Sequence, residues 1–133
     1  MKKVNVWAAL ASLVFAAAPV FGHHSFAASF DGDKPVSLSG TVVKFEMMNP
    51  HSWIHVDVKQ PDGTVVRWQI ETGSTNQLFR RGWRKESLKA GDQVIIEGFR
   101  ARDNTPTANA VAVKLPDGRK VFAGSSKDGG PVQ

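Results

Sequence analysis

The chain has 133 residues, no cysteine, and 17 basic against 12 acidic side chains, a formal charge of +5. The lack of cysteine excludes disulfide staples, a lipid-modified cysteine anchor and thiolate zinc sites. The length suits one domain held by packing alone, and the charge is too modest for a nucleic-acid binder, so no nucleic acid is expected as a partner.

Residues 1–22 read as a secretory signal peptide. Met1-Lys2-Lys3 supplies a basic start, Val4 to Ala18 an apolar stretch, and Gly22 a small residue for cleavage. A membrane span needs about 20 apolar residues, so this shorter block, closed by Pro19, predicts removal and no span thereafter. Cleavage after Gly22 leaves a periplasmic or secreted chain beginning His23-His24-Ser25-Phe26. Loss of Lys2 and Lys3 lowers the charge from +5 to +3.

Residues 23–35 form an N-terminal arm in which Phe26 and Phe30, one helical turn apart, pin the segment to the core. From residue 36 to 124 the pattern is that of strands: Ser37–Met47, Ser52–Lys59, Val65–Glu71, Gln93–Arg100, Ala108–Leu115 and Lys120–Ala123. Ile54, Val56 and Val58 alternate with Trp53, His55 and Asp57, and Val66, Trp68 and Ile70 alternate with Arg67, Gln69 and Glu71. Matching the apolar sets pairs Val58 with Val66, Val56 with Trp68 and Ile54 with Ile70. Pro61-Asp62-Gly63 is then a three-residue loop whose last residue takes the left-handed conformation. Pro116-Asp117-Gly118 repeats the device and pairs Val113 with Val121. That register also sets Lys114 opposite Lys120, unfavourable unless solvent or an anion intervenes.

Between the third and fourth strands, Ser74 and Gln77 have capping-box spacing and Gly82 is a helix stop. One short helix is predicted there, with Leu78, Phe79 and Trp83 plugging a barrel end. Gly98 suits a sharp strand bend. Residues 125–133 are polar, rich in glycine and expected to be disordered. The predicted fold is therefore all-β: a small OB-like barrel of five to six antiparallel strands with one short helix between strands 3 and 4.

Three clusters carry chemistry. A free α-amine and the imidazole of His23 chelate copper, with His24 beside them and a third nitrogen from His51 or His55. Both cannot serve, because four residues along a strand span about 13 Å. Cleavage one residue earlier would instead put His24 third from the amine, a square-planar copper or nickel arrangement. The competing reading makes these histidines the start of a flexible arm. The second cluster is Met47, Met48, His51 and Trp53, in which thioethers and imidazole suit Cu(I) and an indole covers the cation. Its competitor is core filling by the methionines and a turn set by Asn49-Pro50. The third is basic: Arg80, Arg81, Arg84 and Lys85, interleaved with Phe79 and Trp83, able to clasp a carboxylate, a phosphate or anionic lipid. A solvated helix end explains the same run. The strand face with Trp53, His55 and Arg67 is a further surface for an envelope partner.

No hydrolase motif occurs. The catalytic alternative is a copper oxidase using an amino-terminal histidine, which usually needs a larger substrate surface, so a non-enzymatic binding module is expected. Copper or a small anion is the anticipated ligand. The alternative is an adaptor or structural domain of the cell envelope.

The set Met47, Met48, His51 and Trp53 resembles, in residue types and fold, the site of the periplasmic copper and silver chaperone of bacterial efflux systems, a small OB-fold protein. The order differs, with methionines before the Trp here. HHSF at 23–26, NPHSWI at 49–54, LFRRGW at 78–83, GD at 91–92, EG at 97–98 and LPDGRKVFAG at 115–124 together resemble an uncharacterised family of small exported bacterial proteins, domain of unknown function family 6152. That resemblance implies export and a single domain, and brings no reaction, ligand or catalytic residue.

Overall fold

The computed structural model describes residues 26–125 and Lys127. The expected leader, His23 and His24, and the rest of the tail lie outside the described residues. The elements are β1 (Phe30–Glu46), β2 (Trp53–Lys59), β3 (Val65–Glu71), α1 (Thr75–Arg80), a 3-10 turn (Lys85–Ser87), β4 (Gln93–Ala101), β5 (Thr107–Lys114) and β6 (Lys120–Phe122). They form one mostly antiparallel six-stranded sheet in the order β3-β2-β1-β4-β5-β6. Parallel pairing of Gln69, Ile70 and Glu71 with Thr107, Ala108 and Asn109 joins β3 to β5. The hydrogen bonds thereby run in a ring, giving a barrel-like, all-β molecule with α1 between the third and fourth strands.

The β2–β3 hairpin has the register that alternation demands: Val58 opposite Val66, Val56 opposite Trp68 and Ile54 opposite Ile70. Gln60 N–H donates to Thr64 O at 2.8 Å, and Gly63, at φ 88°, closes the three-residue loop. In the second hairpin Val113 faces Val121 and Lys114 faces Lys120. The like-charge pair is relieved from the neighbouring strand, where Glu97 Oε2 lies 2.7 Å from Lys120 Nζ. A protein carboxylate thus neutralises one member of the pair.

β1 is longer than the apolar pattern indicates, because it begins at Phe30 inside the expected arm. Its first half pairs with β4 from Pro35 to Thr41, and its second half with β2 from Thr41 to Glu46. The polar run Asp31 to Lys34 carries no strand signal of its own; pairing of Phe30 with Ala101 draws it into the sheet. Phe26 and Phe30 are buried as expected, in a satellite cluster with Ala101 and Phe99 apart from the main core. Phe26 meets Phe99 edge-on at 5.8 Å. Arg102 clamps the same segment: its Nε donates to Ala27 O at 2.6 Å and its backbone N–H to Ser29 O at 2.9 Å.

Ile54, Val56, Ile70, Ile96 and Val113 are fully buried in the main core, each worth about 1.5–3 kcal/mol of transfer free energy. Ser74 and Gln77 form the capping box of α1, and Gly82 follows the helix at φ 89°. Leu78 and Trp83 plug the core, the indole N–H of Trp83 donating to Phe122 O at 2.9 Å. Phe79 does not: it is 55% exposed, because on so short a helix only one side chain per turn faces the sheet. The tail expectation needs correction at its first residue, since Ser125 is buried and donates to Asn109 Oδ1 at 2.5 Å.

Candidate functional site

The outer face of β2 and β3 carries its polar side chains in rows set by register. Trp53 stands between two glutamates, Glu46 on β1 and Glu71 on β3, and Asn109 of β5 lies opposite Glu71. The loop from β1 into this face is tied down by one hydroxyl. Ser52 Oγ accepts from Met48 N–H at 3.1 Å and donates to Met48 O at 3.2 Å. Ser52 N–H donates to Gly73 O at 2.9 Å, and Thr75 N–H donates to Asn49 Oδ1 at 3.1 Å, binding the loop to the start of α1. The Asn49–Pro50 peptide is cis.

His51 and His55 sit on opposite sides of Trp53, each against a different carboxylate. His51 Nδ1 is 3.5 Å from Glu71 Oε2, within reach of an ion pair when the imidazole carries a charge. His55 Nε2 is 2.9 Å from Glu46 Oε2. Lys44 hydrogen-bonds Glu46 as well, and these two partners, Lys44 first, hold the Glu46 carboxyl below its ordinary range. Glu71 moves the other way. Burial pushes its carboxyl up, opposed by the charge of His51 and by Asn109 Nδ2, which donates to Glu71 Oε1 at 3.1 Å. Asn109 in turn accepts from Ser125, so a chain of contacts runs from the surface histidine inward to the tail.

Beside Trp53 and Glu71 is a cleft of about 420 Å³ whose other walls include Ala28, Ser29, Arg102 and Thr107. The clamped arm therefore forms one wall of the same depression that holds Glu71. A carboxylate beside one imidazole nitrogen, as Glu71 lies beside Nδ1 of His51, is the arrangement in which metal-binding histidines are usually held, with the other nitrogen as the ligand.

The other singled-out residues separate from this cluster. Met47 packs against the core, whereas Met48 is 46% exposed. Among the described residues no three His, Cys, Asp or Glu side chains converge on a point that holds a metal ion. Arg67 spans Asp57 with two bonds, Nε to Oδ1 at 2.8 Å and Nη2 to Oδ2 at 3.0 Å. In the basic cluster Trp83 is buried, and the Arg84 guanidinium lies 3.8 Å above the Phe79 ring while donating to Trp83 O at 2.7 Å. Arg80 and Lys85 are exposed.

Glu46, Glu71, Asn109 and Ser125 are the site residues that sequence reasoning did not single out. The hairpin register, extended one step from the Ile54–Ile70 pair, puts Glu71 opposite Trp53, so that signal was present. Asn109 comes to Glu71 only through the parallel β3–β5 closure, which no local pattern carries.

A family model described as "Family of unknown function (DUF6152)" matches residues 9–110, most of the chain, and the chain belongs to that family. No curated protein and no solved structure matches it.

Proposed function

We propose that this member of the family is an exported, non-enzymatic module that binds one copper ion where the beginning of its mature chain meets the His51 side of the β2–β3 face. The α-amine and imidazole of His23 supply two nitrogens and Nε2 of His51 a third, with His24 adjacent. The observation that carries this reading is the shared cleft: Ala28, Ser29 and Phe30 line the same depression as Trp53 and Glu71, and Glu71 holds His51 by Nδ1. Phe26 is buried on Phe99 and Phe30, and three residues span at most about 11 Å. A terminus on so short a tether has a high effective concentration at the face. His51 is preferred to His55 because the two histidines face different carboxylates, Glu71 and Glu46, and only Glu71 lines the cleft beside the arm.

The supporting chemistry is that of amine and imidazole donors, which suit Cu(II). The test is titration of the processed protein with Cu(II), read by electron paramagnetic resonance. One equivalent with hyperfine structure from several nitrogens is expected. His23→Ala should abolish it, His51→Ala should lower affinity by roughly 10- to 100-fold with fewer coupled nitrogens, and His55→Ala should leave it unchanged. An unaltered spectrum in His51→Ala would remove the β2–β3 face from the site.

A further inference from the structure

We infer that the α1 end of the molecule is a docking surface for an anionic lipid membrane, with Phe79 seated at headgroup level and Arg80, Arg84, Lys85 and Lys89 around it. This inference is independent of the copper reading. Residues 79–89 (FRRGWRKESLK) contain five basic residues and one acidic, a local charge of +4. Without the expected leader the whole chain is +3, so everything outside this segment sums to −1. The positive excess is thus concentrated on one segment.

Half of the ten cations elsewhere in the chain without its expected leader are paired in place. Lys34, Lys44, Arg67, Arg119 and Lys120 each have a carboxylate oxygen within 4 Å. Arg80, Lys85 and Lys89 are exposed and have no such carboxylate among the described residues. The Arg84 guanidinium is fixed over the Phe79 ring by its bonds to Phe79 O at 3.2 Å and Trp83 O at 2.7 Å. A large apolar ring left 55% exposed on a six-residue helix, when its neighbours Leu78 and Trp83 are buried, has no role in the core. An exposed aromatic ring with a guanidinium on its face and further long basic side chains in the same short segment matches the polar-apolar boundary of a bilayer, where the ring enters the headgroup layer and the cations meet phosphates. The charge complementarity and the exposed ring together favour a lipid surface over a soluble anion, which would use the cations alone.

The test is flotation of the processed, metal-free protein with vesicles of phosphatidylcholine alone or with about one-third phosphatidylglycerol. Binding to the phosphatidylglycerol vesicles alone, weakened by high salt, is expected. Arg80→Gln with Lys85→Gln should lower partitioning about 25-fold, since each basic residue near an anionic surface contributes roughly a fivefold factor. Phe79→Ser should lower it about tenfold at constant charge. Both variants change exposed side chains, and an unchanged thermal melt certifies their folding. Absence of binding to the phosphatidylglycerol vesicles overturns the inference. So does full binding by Phe79→Ser, which would remove the ring from the contact and leave only nonspecific charge attraction, or displacement of the protein by millimolar inorganic phosphate at constant ionic strength, which would assign the patch to a soluble anion.

Discussion

Gly98 is the position where the ring of strands and the candidate site depend on one missing atom. Glu97 pairs with Ala112 and Gly98 with Ala110, leaving Val111 as the extra residue of a bulge, and the main chain of β5 there comes close to Gly98. A Cβ at Gly98 would lie 2.1 Å from Asn109 O, 2.9 Å from Asn109 C and 3.0 Å from Ala110 Cα. Real Cβ atoms do not approach within 3.0 Å, so Gly98→Ala forces the strands apart by about 0.9 Å. The obstructing atoms belong to a hydrogen-bonded backbone, which cannot rotate away as a side chain can. Overpacking that side chains absorb costs about 1–3 kcal/mol, so at least about 3 kcal/mol is expected here, a large part of the roughly 5–15 kcal/mol that holds a domain. Asn109 is the residue that bonds Glu71, so the same displacement disturbs the site. Urea unfolding measures the effect as a shift in midpoint at constant slope. Gly32→Ala is the control: it has nothing within 4 Å and should stay within about 1 kcal/mol of wild type. A Gly98→Ala protein within about 1 kcal/mol of wild type would refute the argument that this close approach fixes the closure of the ring.

Glu71→Gln tests the buried carboxylate. Because burial raises the folded-state pKa of Glu71, the unfolded chain releases this proton first as pH rises above about 4.5, so the contribution of Glu71 lowers stability through that window and levels off above the folded value. The variant should be more stable than wild type at neutral pH and lack this part of the pH dependence; urea midpoints from pH 4 to 8 measure both, and a less stable variant at pH 7 would contradict the assignment. Trp83→Phe removes the indole donor to Phe122 O and leaves a gap in the core, for an expected loss of about 2–4 kcal/mol, with hydrogen exchange in β6 rising more than in β2. Ser125→Ala leaves Asn109 Oδ1 buried without its donor and should cost about 1–3 kcal/mol, read from thermal unfolding. An unchanged melting temperature would mean that the tail is not anchored there.

Both hairpins were legible in the sequence because three signals agree in each: strict alternation, a three-residue loop ending in glycine, and apolar residues that match in only one register. The helix was legible from its capping box and from Gly82. What was not legible depends on partners distant in the chain. Residues 31–34 are polar and join β1 only because Phe30 finds Ala101 and the following residues find β4. Phe79 and Trp83 look alike as aromatic plugs in the sequence, and only the orientation of a six-residue helix and the turn at Gly82 after it separate the exposed ring from the buried one. The pairing of Lys120 with Glu97, which eases its repulsion from Lys114, needs the order β4-β5-β6 to be known. At the candidate site the incompatibility of His51 and His55 followed from strand geometry alone, whereas the glutamate on each histidine did not. The composition of the tail conceals Ser125, since a small polar residue becomes an anchor only when a buried amide awaits it.

Native mass spectrometry of protein recovered from the periplasm after mild copper supplementation tests the central claim most directly, because one spectrum reports the mature terminus and its metal together. The account predicts a chain beginning at His23 that carries one copper ion, lost in His23→Ala and diminished in His51→Ala. A correctly processed chain that stays metal-free would contradict it.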